Sequence, residues 1–339
     1  MRTALKVGAG FLVIIALCAA GLAAYLYMSA SRPDRPVGFD QLSIEDPGHA
    51  PLTAAFWYPT EAKPGVVLVG LTAQRVASGS PVAGDRLPIV LMSHGTGGSF
   101  ATHSDTALAL AASGYVVVAP LHSGDNYRDD SDVGKPNWFP DRSRHLRLAL
   151  DAALGKWRGA SHIDRQRVGV FGFSGGATTA LISIGGAPDL QAVPAHCKQH
   201  PEFVCGLMAP AAPLPQTWSS DPRIRAAVIV APGLGFAFAP DGLRNVHVPV
   251  QLWAGTADTT VPAATNAQLI MTSLPTAAPA ELKMVPGATH YSFVAPCGLI
   301  RPAQLCRDDG GFDRSAFHRT FNSLVVKFFD VQLAQRSGR

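Results

Sequence analysis

The sequence has few charged residues and no run of basic ones. Only 15% of its 339 residues are Asp, Glu, Lys or Arg, and the formal net charge is +4. Proteins that bind nucleic acid carry a basic patch or stripe that neutralises phosphates, and no run of Lys or Arg occurs here. We therefore expect no nucleic-acid partner.

The glycine-rich stretches lack the spacing of nucleotide-binding loops. "GTGG" at 95–98 lacks the further glycine of a dinucleotide fingerprint, and "GFSGG" at 172–176 lacks the Lys-Ser/Thr pair of a P-loop. No other pattern requires an organic cofactor or a metal ion, so we expect no cofactor.

One long hydrophobic run is present, at residues 7–28, which contains no charge and follows Arg2 and Lys6. As a helix it would span about 33 Å at 1.5 Å per residue. We interpret residues 1–31 as an export signal, either cleaved near residues 18–20 or, as we favour, kept as a membrane anchor through residues 7–28. The positive-inside rule then places the rest of the chain on the periplasmic or extracellular side.

Cysteine is scarce, with five in the chain. Outside the leader there are two close pairs, Cys197 with Cys205 and Cys297 with Cys306. An even count in an exported chain favours disulfides, and of the three pairings we predict the two local ones. The alternatives are reduced cysteines or a zinc site that includes His196 and His200, although no C-x-x-C pair supports zinc.

Short apolar strands alternate with helices over most of the chain. Strands are predicted at 37–45, 53–58, 66–70, 88–94, 115–122, 168–173, 226–232, 248–255 and 281–285, and helices at 103–114, 141–154 and 314–333. Such alternation predicts an α/β fold with a mostly parallel central sheet and helices on both faces. We expect a linker at 32–36, one domain at 37–333 and a tail at 334–339, with irregular insertions at 123–140 and 186–222 over a site.

Ser174 lies between Gly172 and Gly176 in a G-x-S-x-G pattern. The motif alone is weak in a chain with 33 glycines. Its context is stronger, because an apolar strand precedes Ser174 and a helix follows, which places the serine at a strand-to-helix corner. A nucleophilic serine there takes a positive φ and needs small neighbours two positions away. We predict that Ser174 is a nucleophile; the alternative is a glycine-rich turn with an incidental serine.

A serine nucleophile needs a base and an acid that orients the base. His290 follows the last predicted strand and Asp258 follows the one before it, so the order Ser174, Asp258, His290 is that of α/β-hydrolases. His318 is a later histidine, but it falls inside the final helix, where we expect a packing role.

The oxyanion of an acyl-transfer reaction needs two N–H donors. We predict that Gly175 supplies one and Thr96, in "SHGTGGS", the other, while the neighbouring His94 binds loop backbone. Phe236 and Phe238 are predicted to bind substrate, together with Trp138, Phe139 and Trp218 as further candidates; ordinary packing is the alternative for all five.

Several segments resemble one known group. "MSHGTGGS", "GFSGGATTAL", "AGTADTTVP", "GATHYSF" and "CRDDGGFDRSAFHRTFNSLVVKFF" are similar to segments of exported bacterial α/β-hydrolases called "predicted dienelactone hydrolases", which are themselves similar to platelet-activating-factor acetylhydrolases. The resemblance covers residues 37–333 and implies an α/β-hydrolase fold with ester-hydrolase activity. Dienelactone hydrolases proper use a cysteine nucleophile, whereas this chain has Ser174, so the resemblance assigns no lactone substrate.

These observations together predict a serine hydrolase that cleaves small-molecule or lipid-like carboxylic esters through an acyl-enzyme. Two other readings stay open. The same triad serves acyltransferases and peptidases, and the fold also occurs in catalytically silent binding proteins of the cell envelope.

Overall fold

The computed structural model of the protein describes residues 2–208, 217–297, 303–308 and 310–334, without the side chains of residues 2–13, 303 and 304. Most of the predicted tail, from residue 335 on, and residues 209–216 of the second predicted insertion lie outside the described residues.

The described elements are strands β1–β10 and helices α1–α8. The strands are β1 (Val37–Ile44), β2 (Leu52–Pro59), β3 (Gly65–Val69), β4 (Thr72–Ser78), β5 (Leu87–Ser93), β6 (Val116–Leu121), β7 (Ile163–Phe173), β8 (Ile224–Val230), β9 (Val250–Gly255) and β10 (Ala280–Val285). The helices are α1 (Arg2–Ser29), α2 (Ser104–Ala112), α3 (Trp138–Gly155), α4 (Gly175–Ser183), α5 (Val193–Gln199), α6 (Ala267–Ser273), α7 (Ala303–Cys306) and α8 (Arg314–Gln332).

The ten strands form one sheet in the order β10-β9-β8-β7-β5-β6-β2-β1-β4-β3. The six strands from β10 to β6 pair in parallel, and β2 pairs antiparallel with both β6 and β1. The predicted mostly parallel sheet is therefore confirmed. Because these parallel strands run in the same direction, the carboxyl ends of β5, β7, β9 and β10 all lie at one edge of the sheet.

Helices cover both faces of this sheet, as predicted. Along β5, Ile89 and Leu91 belong to the core that contains α3 and α4 residues, whereas Val90 and Met92 belong to the core that contains α2 and α8 residues. The alternation follows from the two-residue repeat of a strand, which sends successive side chains to opposite faces. Apolar side chains on both sides explain why β5 reads as a continuous hydrophobic run.

Two local predictions differ from the structure. The helix predicted at 141–154 begins at Trp138 as α3, and Asp141 lies inside its first turn, where it accepts a hydrogen bond from the Asn137 side chain at 2.7 Å. The first insertion therefore ends in helix, and Pro140 is tolerated because the first turn needs no N–H from it. Strand β4 was not predicted, since "TAQRVAS" shows neither alternation nor an apolar run.

In the part of the chain that the structure describes, no helix is long and apolar enough to cross a membrane. The leader at 1–31 and the attachment through residues 7–28 stay predictions, as do the domain limits 37–333.

Candidate active site

Ser174 lies at the corner between β7 and α4, the position that the sequence predicts. Its φ is 55° and its ψ −122°, a strained conformation for a residue with a side chain. The corner is closed by small residues, since a Cβ at Gly172 would lie 2.2 Å from the carbonyl oxygen of Gly176, and one at Gly176 would lie 2.0 Å from that of Ser93. The backbone N–H of Ser174 donates to Val230 at 2.9 Å, which ties the corner to β8.

Three side chains from separate loops meet at this corner. The Oγ of Ser174 lies 3.0 Å from Nε2 of His290, and Nδ1 of His290 lies 2.8 Å from Oδ2 of Asp258. Both His290 and Asp258 are buried. The other oxygen of Asp258, Oδ1, accepts the backbone N–H groups of Thr260 and Val261 at 2.9 Å each, which fixes the plane of the carboxylate.

This chain of contacts assigns the protons. An ionised carboxylate only accepts hydrogen bonds, so Nδ1 of His290 carries a proton and donates it to Asp258. Nε2 is then unprotonated and accepts from the hydroxyl of Ser174. The arrangement holds the serine proton next to a base that can remove it.

Thr96 and Gly175 are neighbours beside Ser174. A Cβ at Gly175 would lie 2.6 Å from Oγ1 and 3.5 Å from the backbone nitrogen of Thr96. Among the described residues, no protein group accepts a hydrogen bond from the N–H of Thr96. The structure therefore brings together the two backbone donors that the sequence predicts for the oxyanion.

The predicted structural role of His94 is confirmed. Its Nδ1 donates to the carbonyl oxygen of Gly95 at 2.8 Å, and its Nε2 accepts the backbone N–H of His122 at 3.2 Å. Burial, with the nearby charge of Arg142, lowers the pKa of His94 to about 4. The imidazole is therefore neutral at pH 7, as the acceptor role of Nε2 requires.

The aromatic residues predicted to bind substrate are largely interior. Phe238 is completely buried, with its ring next to Gly186. Phe236 is 8% exposed and stacks on His196 with ring centroids 3.4 Å apart. Trp138 and Phe139 are buried and stacked on each other, in the first turn of α3. Trp218 is half-buried, and its Nε1 donates to the carbonyl oxygen of Pro188 at 3.1 Å. Substrate contact stays a prediction for all five aromatic residues.

Both local disulfides are present, Cys197–Cys205 and Cys297–Cys306. Because Cys197 and Cys205 are bonded to each other, neither offers zinc a thiolate. The first disulfide closes the loop that carries Glu202, whose buried carboxylate contacts His196 at 3.0 Å and Asn266 at 2.9 Å. This loop is thereby fastened to the segment that follows Asp258.

His318 has the packing role predicted for it. Its Nδ1 lies 2.6 Å from Oδ2 of Asp105, and its Nε2 donates to the backbone oxygen of Ser292 at 2.9 Å. Both ring nitrogens are therefore engaged, and the contact with Ser292 steadies the short helix that begins at His290.

Two buried charged residues next to the site were not predicted from the sequence. Arg142 and Asp125 form an ion pair with 2.5 Å between Nη1 and Oδ2, and each side chain is 1% exposed. A signal was present in α3, because Arg142 lies one turn before Leu146 and two turns before Ala149, on the face that packs against the sheet. A charge on an apolar face marks a buried polar contact.

Comparisons with known proteins agree with this fold. The model of the dienelactone hydrolase family matches residues 75–297. Among solved structures, a ferulic acid esterase from Streptomyces cinnamoneus is similar with a TM-score of 0.66 and 20% identity, over 91% of this chain and 94% of that one. No curated protein gave a match.

The esterase likeness, at that level of identity, concerns the fold, whereas the family model covers most of the sheet and the loops that carry Ser174, Asp258 and His290. The chain belongs to the dienelactone hydrolase family.

Proposed function

We propose that the protein is a serine esterase that hydrolyses carboxylic esters through an acyl-enzyme formed on Ser174. The observation that carries the proposal is the unbroken contact chain from the Ser174 hydroxyl through His290 to Asp258, at a residue with φ 55°. Membership of the dienelactone hydrolase family supports a hydrolase of ester-type substrates.

In the first half of the reaction, Oγ of Ser174 attacks the ester carbonyl carbon while Nε2 of His290 takes the hydroxyl proton. The carbonyl oxygen becomes an oxyanion, which accepts the N–H groups of Thr96 and Gly175. Asp258 stabilises the imidazolium that forms and holds its orientation. Collapse of the intermediate expels the alcohol, which takes the proton from His290, and leaves the acyl group on Ser174.

In the second half, His290 removes a proton from a water molecule that attacks the acyl carbon. The same two N–H groups accept the second oxyanion, and its collapse returns the proton to Ser174 and releases the acid. No step needs a group outside this chain and water.

We further propose that the enzyme works outside the cytoplasm. The two disulfides support this location, because such bonds form and persist in oxidising compartments. The substrate class is a small-molecule or lipid-like ester.

The test is hydrolysis of p-nitrophenyl esters from acetate to decanoate by the full-length protein, by Ser174→Ala and by Ser183→Ala. Ser183 is a matched control, since it lies in α4 and, among the described residues, its hydroxyl donates to the Thr179 carbonyl within that helix and to no other group. We expect Ser174→Ala to lower kcat by about 10⁴-fold or more, with Ser183→Ala close to the wild type. Wild-type protein that is folded and disulfide-bonded but hydrolyses none of these esters contradicts the proposal.

A further inference from the structure

The buried guanidinium of Arg142 contacts both halves of the predicted oxyanion hole. Toward the Thr96 loop, Nη2 of Arg142 donates to the carbonyl oxygen of His94. Toward the elbow, Nε donates to Oγ1 of Thr179 at 2.9 Å, and the same hydroxyl donates to the carbonyl oxygen of Gly175 at 2.9 Å. One planar group is thus bonded, directly or through one hydroxyl, to the backbone on each side of the oxyanion site.

Asp125 completes this connection on the loop side. Its Oδ2 receives Nη1 of Arg142 at 2.5 Å, and its Oδ1 accepts the backbone N–H of Gly97 at 2.7 Å. Thr96 therefore lies between two anchored backbone groups, with the His94 carbonyl on Arg142 two residues before it and the Gly97 amide on Asp125 directly after it. The Gly95–Thr96 peptide, which carries the Thr96 N–H, lies between these two anchors, so they limit the direction of that N–H.

A stability role alone does not account for this ion pair. Taking both charges out of water is expensive, and buried ion pairs are often no more stabilising than apolar residues of similar volume. The fork of Arg142 is instead suited to fixing several backbone groups at once, because its donors lie in one rigid plane.

Resting on the proposed esterase mechanism, we propose that Arg142 and Asp125 are positioning residues that fix the separation and direction of the Thr96 and Gly175 N–H groups. Neither residue touches the substrate. They act through the backbone at His94 and Gly97 on one side and through Thr179 at Gly175 on the other. The rate of acylation then depends on the buried ion pair of Arg142 with Asp125, which lies next to the site but outside it.

A shift of the donors weakens their contact with an oxyanion and leaves binding of the uncharged ester nearly unchanged. We therefore expect Arg142→Lys to lower kcat by about 10²-fold or more, as for loss of an oxyanion donor, with KM within about threefold of the wild type. Lysine keeps the charge beside Asp125 but has one nitrogen in place of the three that separately bond Thr179, Asp125 and His94.

Thr179 offers a test without a change of charge. Thr179→Val removes the hydroxyl that connects Arg142 with Gly175 and keeps the side-chain shape, so we expect kcat to fall about tenfold, the value of one lost hydrogen bond. Thr179→Ser restores the hydroxyl and should restore kcat. Ser183→Ala is again the matched control, since it removes a like bond to a helix carbonyl one turn further on.

The experiment compares kcat and KM for p-nitrophenyl butyrate with the inhibition constant of an alkyl trifluoromethyl ketone in these variants. Oγ of Ser174 bonds to the ketone carbon, the carbonyl electron pair moves to its oxygen, and the hydroxyl proton passes to His290. The adduct thus carries an oxyanion without a leaving group. We expect the inhibition constant to rise in proportion to KM/kcat across the series.

Folded Arg142→Lys and Thr179→Val proteins with wild-type kcat and wild-type inhibition would overturn the positioning role while leaving the esterase proposal in place. If Arg142→Lys fails to fold, the Thr179 pair decides alone, because Ser must rescue what Val loses. A wild-type protein that neither hydrolyses esters nor binds the ketone would overturn the proposed function and this inference with it.

Discussion

Asp258→Asn changes one atom of the triad and has a consequence that the surrounding backbone fixes. Two N–H groups, from Thr260 and Val261, donate to Oδ1 of Asp258 at 2.9 Å each. An asparagine here must keep its oxygen on that side, because its NH₂ group would otherwise face two donors. The NH₂ group then faces Nδ1 of His290, where Oδ2 lies 2.8 Å away in the native protein.

The substitution therefore reverses the imidazole tautomer. Nδ1 of His290 must accept from the amide, so the ring proton moves to Nε2, which can no longer remove the proton of Ser174. A triad with the wrong tautomer loses about 10⁴-fold in kcat, equivalent to about 5 kcal/mol of transition-state stabilisation. The fold should change little, because the shape of the side chain and its two backbone hydrogen bonds are kept.

The assay is p-nitrophenyl butyrate hydrolysis at pH 7.5, with thermal melting as the measure of folding. Asp189→Asn is the matched control, since exposed Asp189 likewise accepts a backbone N–H, from Gln191 at 2.9 Å, and lies in another loop. If folded Asp258→Asn protein keeps a kcat within about tenfold of the wild type, the His290 ring does not depend on this carboxylate for its tautomer.

Three further predictions concern stability. Gly176→Ala puts a Cβ 2.0 Å from a carbonyl oxygen of β5 and should lower the free energy of unfolding, measured by urea titration, by about 3 kcal/mol. Gly155→Ala, with open space around its Cβ, should change it by less than about 1 kcal/mol, and equal effects of the two substitutions would contradict the close packing at Gly176. Burial, with a neighbouring arginine charge, lowers the pKa of His145 from 6.5 to about 4. The unfolded chain therefore takes up a proton that the folded protein refuses, so His145 should lower the free energy of unfolding as pH drops from 6.5 to about 4, by about 2 kcal/mol at pH 5. His145→Gln should lose about that much less stability than the wild type between pH 7 and pH 5, while His94 contributes equally in both proteins, and an equal loss in the two proteins would contradict this. Serine at both Cys197 and Cys205 opens a ring with a sequence separation of 8 and should lower the unfolding free energy by about 2–3 kcal/mol; an unchanged melting temperature would refute this.

Patterns that depend on neighbours in the sequence predicted most of the fold. Strand β5 and helix α8 follow from an apolar run and a helical repeat, and the structure has both within one or two residues. The position of Ser174 follows in the same way, because a strand, a glycine-flanked serine and a helix occur in direct succession. The chain order of Asp258 and His290 then places them at the ends of two nearby parallel strands.

Contacts between distant parts of the chain were beyond this reasoning. The ion pair of Arg142 with Asp125 joins a helix to a loop in what reads as an irregular insertion, and nothing local to either residue names the other. The burial of Phe238 was also beyond local patterns, since an aromatic residue in a loop-like segment suggests partial exposure, whereas Phe238 is fully buried. Burial of loops is set by the whole domain and not by their composition.

The central claim is that Ser174 is the nucleophile and His290 its base. The most direct measurement is reaction of the full-length protein with a fluorophosphonate, followed by mass spectrometry of its peptides, for the wild type and for His290→Ala. We expect one phosphonyl group, on Ser174, in the wild type and labelling slowed by about 10³-fold or more in His290→Ala. Ester hydrolysis without label on Ser174, or equal labelling of the two proteins, would contradict the claim.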